Sequence, residues 1–414
     1  MMFRASAAVS LTLGLSLAGC AAPGPDSATG TGGSSGGSAG SGASAGSYAQ
    51  NTPGARDPYP QGHPSANCTF PNYSNDAVAT AYVNWKAKFV TSAGAAGNLR
   101  VQRDTNSNDT VSEGIGYGML IAVFMNDQPM FDGLWAYARS HFDGNGLMTW
   151  NFSSANSAIG TGSATDADED MAYALVMASK QWSGGTYASD ANTLIGNILV
   201  HEVDGSNVIK PGDNFGGASE MDPSYLAPVY YRAFAAATGN AKWTTVLQES
   251  YTILMAASGQ YGLVPNWANS SGVGVTGTAT DGHGPDFGYD ACRTPFRIAM
   301  DYCINGEKRA QTYAGLIAAF YSSKATATSV GLIFDGYTPT GTALDSNPAG
   351  MAFTGPGGVA AMAAGLDPFR DVVYTTLATE TTQMKIAGTF DYYDASWGVL
   401  SLLAMSGNFW DMTQ

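Results

Sequence analysis

Apolar residues recur at helical spacing along most of the chain from about residue 61 onward. Hydrophobic positions at i, i+3, i+4 and i+7 mark one face of a helix. The pattern predicts helices over roughly 76–92, 112–126, 129–142, 166–182, 187–202, 224–238, 241–258, 290–304, 307–323, 355–365, 368–380 and 391–406. Asp222-Pro223 and Asp367-Pro368 place proline at an early helical position, where its missing N–H is no loss. Asp143-Gly144-Asn145-Gly146 and Asp335-Gly336 read as turns between helices. Twelve helices in one uninterrupted run fit six hairpins closed into a toroid, an all-α (α/α)6 barrel. An open helical solenoid has the same spacing, so periodicity predicts the hairpins and leaves closure open.

The N-terminal stretch departs from this pattern. Arg4 precedes a short apolar run, Ala7 to Ala18, that ends in Leu17-Ala18-Gly19-Cys20. The run is too short to span a bilayer as a mature helix and reads as an export signal. The tetrad resembles a bacterial lipobox. That resemblance implies removal of residues 1–19 and acylation of the Cys20 thiol. Ala21 and Ala22 follow Cys20, which by the same resemblance favours the outer membrane or cell surface of a two-membrane bacterium. Residues 20–60 include the run from Gly30 to Gly42, built of Gly, Ser, Thr and Ala. Such a stretch cannot bury a core and is expected to be a flexible tether. The folded domain is expected over 61–414.

Composition narrows the partners. The formal net charge is −15, with 18 Lys and Arg against 33 Asp and Glu, and no basic run. Phosphate binding needs clustered cations, so nucleic acid is not an expected partner. Membrane contact is expected only through the lipid. Aromatic residues make up 11% of the chain, and Trp150, Trp267, Tyr225 and Tyr289 fall in loops. Burial explains most aromatics. Aromatics in loops rich in Gly and Asn are harder to bury, and sugar rings offer flat C–H faces to stack on them. With Cys20 acylated, Cys68, Cys292 and Cys303 remain, enough for one disulfide and one thiol. Cys292 and Cys303 stand about three turns apart on an expected helix, too far to bond at ~1.5 Å per residue, so a bridge would use Cys68. The four His are scattered, His283 in a solvated loop, and no metal or other cofactor is expected.

Three acidic segments carry the candidate chemistry. Glu113 opens an apolar helix in Ser112-Glu113-Gly114-Ile115-Gly116-Tyr117-Gly118-Met119. By itself it reads as a capping or helix-dipole acid. Ala164-Thr165-Asp166-Ala167-Asp168-Glu169-Asp170-Met171-Ala172 crowds four acids into five positions. Such crowding raises a carboxyl pKa or demands a cationic partner. A structural calcium site is conceivable there, although the spacing is not an EF-hand loop. Asp290, Arg293 and Arg297 would share a helix face in Tyr289-Asp290-Ala291-Cys292-Arg293-Thr294-Pro295-Phe296-Arg297.

These three segments, in this order, resemble glycoside hydrolase family 8. The pattern A-[ST]-D-[AG]-D-x-x-[IM]-A is met by Ala164 to Ala172. Met221-Asp222-Pro223-Ser224-Tyr225 and Tyr392-Tyr393-Asp394 are similar to further segments of the family. The resemblance spans about 70 to 410. It implies an (α/α)6 barrel and an inverting hydrolase, with Glu113 as general acid and Asp290 as general base. Inversion leaves roughly 6.5–9.5 Å between such carboxyls, room for a water. Asp166 would hold a distorted sugar at the cleavage point. Tyr225, Tyr289 and Arg293 would line the same subsite, with Tyr117 among the substrate contacts and Trp150 and Trp267 stacking on neighbouring sugars. The family includes β-1,4-glucanases, β-1,3-1,4-glucanases, chitosanases and xylanases. An acid at 290 favours a cellulase, so the expected substrate is a β-1,4-glucan. A non-catalytic glycan-binding lipoprotein and a polysaccharide lyase are the alternative classes. Glu113, Asp166 and Asp290 standing together argue against the first.

Overall fold

The computed structural model of the chain describes residues 51–278, 282–384 and 390–414. Cys20, the export signal and most of the expected tether lie outside the described residues. Twelve α-helices occur among the described residues, one for each expected segment. Six form an inner ring: α2 (Ser112–Phe124), α4 (Thr165–Gln181), α6 (Pro228–Thr238), α8 (Thr294–Asn305), α10 (Met351–Ala364) and α12 (Tyr392–Met405). Each packs on the next, and α12 packs back on α2. That last contact closes the toroid and excludes the open solenoid. Outside them lie α1 (Asn75–Phe89), α3 (Gln128–Arg139), α5 (Tyr187–His201), α7 (Lys242–Ala257), α9 (Lys308–Ser322) and α11 (Asp367–Gln383), each against an inner helix. Among the described residues the strands are four two-residue pieces in two antiparallel pairs, Val90–Thr91 with Arg100–Val101 and Thr110–Val111 with Asn151–Phe152.

The two rings differ in the way their sequences require. Every residue of α12 and all but Glu113 of α2 are buried, so these helices lack a polar face. A helix covered on all sides needs neighbours on all sides, which a ring interior supplies. The outer α3 keeps Met130, Phe131, Leu134, Trp135 and Ala138 inward and leaves its other face to solvent. Close approach of inner helices depends on glycine. A Cβ on Gly116 of α2 would fall 2.9 Å from Asp170 Cβ and 3.2 Å from the Ala167 carbonyl oxygen, both on α4.

Several boundaries differ from expectation. The segment expected as a helix from 224 begins with a 3-10 turn, Pro223–Tyr225, and the α-helix restarts at Pro228. Helix α10 starts at Met351, ahead of the expected 355, and accommodates Pro356. Helix α8 starts at Thr294 and not at 290. The expected tether also runs too far. Within 51–60, Arg56 N–H donates to the Gln181 carbonyl at 2.9 Å, and the buried Tyr59 donates its hydroxyl to the Asn75 carbonyl at 2.6 Å. Cys68 pairs with Cys303, joining the lead-in to α1 with the end of α8, while Cys292 is a buried free thiol.

The glycine contacts predict an asymmetry. Gly116→Ala forces α2 from the α4 backbone and should cost about 1–3 kcal/mol in urea unfolding. Gly118→Ala meets only side chains, the ends of Leu134 and Val101 and the edge of Trp85, and should cost less.

Candidate active site

The N-terminal ends of the inner helices meet at one end of the barrel. Arg293, the residue before α8, stands at the centre and is 3% exposed. Its Nη1 donates to Glu113 Oε2 at 3.0 Å and to Asp166 Oδ2 at 2.5 Å. Nη2 donates to Asp222 Oδ2 at 3.1 Å. Nε and Nη2 also reach the Asp290 carbonyl oxygen, at 3.3 and 3.2 Å. The Tyr225 ring lies 5.1 Å from the guanidinium carbon. One cation thus ties together the starts of α2, α4 and α8 and the turn before α6. Helix N-termini carry partial positive charge, which favours acids at this end.

Glu113 sits in the first turn of α2, but it caps nothing. The cap position is Val111, which makes no side-chain cap bond. The Glu113 side chain is 16% exposed and its Oε1 accepts from the Tyr392 hydroxyl at 2.9 Å. A Cβ on Gly114 would crowd that ring, at 3.1 Å, so glycine admits Tyr392 beside the acid. Burial pushes the Glu113 carboxyl above the ordinary glutamate range; Arg293 opposes this and Asp166 adds to it. Asp166 is buried and its Oδ1 accepts from Ala167 N–H at 2.9 Å. Asp222 is buried too, held by Ser224 N–H at 2.7 Å, and burial with nearby Asp290 raises its pKa despite Arg293.

The four crowded acids of α4 each find a different partner. Asp166 pairs with Arg293. Asp170 pairs with Arg297, whose Nη1 and Nη2 donate to it at 2.9 and 3.0 Å. Asp168 Oδ1 accepts from Met148 N–H at 3.1 Å and is close to Glu202, which burial pushes up to about 8. Glu169 meets the Tyr231 phenol at 3.0 Å. Among the described residues no three His, Cys, Asp or Glu side chains converge to hold a metal ion.

The expected helix face of Asp290, Arg293 and Arg297 does not form. Asp290 lies in turns ahead of α8 because the Asn266 side chain captures them: its Oδ1 accepts from Gly288 N–H and Ala291 N–H, both at 3.0 Å. The Asp290 carboxylate meets Trp267 Nε1–H at 3.1 Å in place of an arginine. Trp267 is only 6% exposed, with Gly277 packed on its indole, so it holds Asp290 and offers no open platform. Trp150 is partly buried, its indole against Gly160, and its carbonyl accepts from Ser112 N–H beside Glu113. Tyr117 is fully buried below the site, against Tyr392 and Trp397. It is one turn deeper along α2 than Glu113, where every side is covered. Tyr289 is partly buried, its hydroxyl donating to Asp335 at 3.1 Å.

Residues missed from the sequence are Asp222, Tyr392 and Phe215. The first two sit in segments noted only for resemblance. Phe215 is 37% exposed, with its ring 6.5 Å from that of Trp267, which holds Asp290. No periodicity points to it.

A closed α/α barrel whose mouth gathers acids around one arginine, with Tyr225 on that arginine, is an arrangement suited to a carbohydrate-active protein. The sequence pattern of Glycosyl hydrolases family 8 matches residues 60–407. Endoglucanase A of Acetivibrio thermocellus is 40% identical over 338 residues, covering 79% of this chain and 68% of that protein. Endoglucanase C of Ruminiclostridium cellulolyticum is 38% identical over 360 residues, 85% of this chain and 75% of the other. A solved β-1,3-1,4-glucanase from Paenibacillus sp. X4 superposes with a TM-score of 0.78 at 31% identity, over 86% of this chain and 99% of that one. The chain belongs to glycoside hydrolase family 8.

Removing the central cation leaves the buried Asp166 and Asp222 and the half-buried Glu113 uncompensated. Arg293→Ala should cost about 3–5 kcal/mol in urea unfolding. Arg293→Lys keeps the charge but not the fork, so it should recover only part of that loss.

Proposed function

We propose that the chain is an inverting endo-1,4-β-glucanase in which Glu113 is the general acid and Asp290 the general base. The main support for this is the Glu113 carboxyl, half-buried beside Asp166 and pushed upward even with Arg293 in contact. A general acid must hold its proton near the working pH. Arg293 has only N–H donors to offer, so Oε2 accepts; Oε1 takes the Tyr392 hydroxyl on one lone pair and carries the acid proton on the other. That proton passes to the glycosidic oxygen as the bond to the sugar breaks. Asp290 takes a proton from the water attacking the opposite face. Trp267 fixes one Asp290 oxygen and leaves the other for water. Asp166 and Tyr225, aligned by Arg293, hold the sugar at the cleavage point.

Support for a β-1,4-glucan comes from the two similar endoglucanases. The likeness to the Paenibacillus β-1,3-1,4-glucanase favours mixed-linkage glucan as a second reading. Reducing-end release on carboxymethylcellulose, lichenan, chitosan and xylan separates these. Activity on carboxymethylcellulose is expected, and none there overturns the β-1,4 assignment. Glu113→Gln should abolish turnover yet retain cello-oligosaccharide binding. Because its pKa is raised, the wild-type kcat/KM should hold well above pH ~4.3, the ordinary glutamate value, and fall as the pH passes Glu113's own.

We also propose that the protein is an exported lipoprotein, tethered through Cys20. The lipobox-like tetrad supports this, as does a disulfide suited to an oxidising compartment. Labelled palmitate should enter the wild-type chain and be absent from Cys20→Ala. Equal labelling of both would sink the proposal.

A further inference from the structure

Glu169 is fully buried on α4, three residues beyond Asp166, and no step above uses it. Its Oε1 lies 3.0 Å from the Tyr231 hydroxyl on α6, and its Oε2 has no hydrogen-bond partner. The same hydroxyl lies 3.1 Å from the Tyr225 carbonyl oxygen and 3.1 Å from Ala227 N–H. A phenol has one hydrogen and two lone pairs. Ala227 N–H takes one lone pair. If Glu169 is ionised, two acceptors compete for one hydrogen, and one of them goes without. If Glu169 is protonated, all three contacts of the Tyr231 hydroxyl are matched. Glu169 then donates to the Tyr231 oxygen, and Tyr231 gives its hydrogen to the Tyr225 carbonyl.

We propose that Glu169 is a protonated positioning acid that sets Tyr225 through Tyr231. The relay ends on the turn that carries Asp222 and Tyr225, and the Tyr225 ring lies on Arg293. An ionised Glu169 would draw the Tyr231 hydrogen to itself, since a charged acceptor binds it more strongly. The Tyr225 carbonyl would then lose its donor and the turn its anchor. The groups facing Glu169 are consistent with the neutral form. Arg297 is the cation among them and favours the ionised form, but both its Nη atoms are committed to Asp170, and its buried Nε has no hydrogen-bond partner among the described residues. Asp170 on the same helix and Glu202 after α5 disfavour a further negative charge, and burial raises the Glu169 pKa most of all. The role of Tyr225 in turnover rests on the hydrolase reading above; the proton on Glu169 does not.

The test uses Glu169→Gln and Glu169→Ala in the whole chain, with kcat and KM on carboxymethylcellulose and unfolding temperatures from pH 4 to 8. A glutamine N–H can replace the acid proton, whereas alanine cannot. Glu169→Ala should lower kcat between about tenfold and a hundredfold, with KM changed less, and Glu169→Gln should restore most of it. A raised pKa means the folded state holds a proton that the unfolded chain releases above pH ~4.3, so wild-type stability falls as the pH rises past that value. Glu169→Gln lacks this slope, so its unfolding temperature should gain on wild type as pH increases. A constant gap across the range, or a glutamine variant as impaired as alanine, overturns the proposal. Should the alanine variant not fold, the glutamine variant and its pH series still decide. Should the wild type cut no glucan, the hydrolase reading fails and the unfolding series alone judges Glu169.

Discussion

Arg293 is a single cation facing three carboxyl groups in a largely buried barrel mouth, and the site is organised around that imbalance. Its guanidinium reaches Glu113, Asp166 and Asp222, which start from three separate inner elements. Three negative charges around one positive charge are costly in a buried site, and both Glu113 and Asp222 are pushed above the ordinary carboxyl range. Burial and Asp166 push Glu113 upward while Arg293 pulls it down, and the upward effects win. The same crowding therefore makes an acid and aims it. Tyr392 takes up the other oxygen, so the carboxyl has one orientation.

The barrel makes this concentration of charge possible. Six inner helices begin at one end, and their N-termini favour acids there. Glycines let the helices close in: Gly116 admits α4 and Gly114 admits the Tyr392 ring. The turns between helices are then fixed from a distance by side chains such as Asn266 and Tyr231. Packing, turn geometry and proton placement are thus coupled across the mouth. In this account Glu169 extends the coupling one layer below the residues that meet the sugar.

Local spacing was enough to read the twelve helices, because each repeats its apolar positions over several turns. Closure of the ring was not legible, since it depends on α12 meeting α2 far along the chain. The errors at helix starts share one physical origin. Asp222-Pro223 satisfies the rule for a helix start, yet it opens a 3-10 turn and Pro228 begins the helix. Asp290 has the spacing of a helical partner for Arg293, but Asn266 holds its backbone in turns. The structure brings Glu113, Asp166, Asp290, Arg293 and Tyr225 together, and Tyr289 hydrogen-bonds at the same mouth. Tyr117 and Trp267 were legible as aromatics but not as buried ones. Asp222, Tyr392 and Glu169 gained meaning only from partners that no spacing rule connects.

The stereochemistry of the first product distinguishes direct attack by water from a covalent intermediate. If Glu113 is the acid and Asp290 the base that activates water, the bond breaks with inversion at the anomeric carbon. Proton NMR of cello-oligosaccharide hydrolysis should show the α-anomer at the new reducing end first. The β-anomer should follow only as mutarotation proceeds. If the β-anomer appears first, a covalent intermediate must form, and the acid–base pairing assigned to Glu113 and Asp290 is wrong.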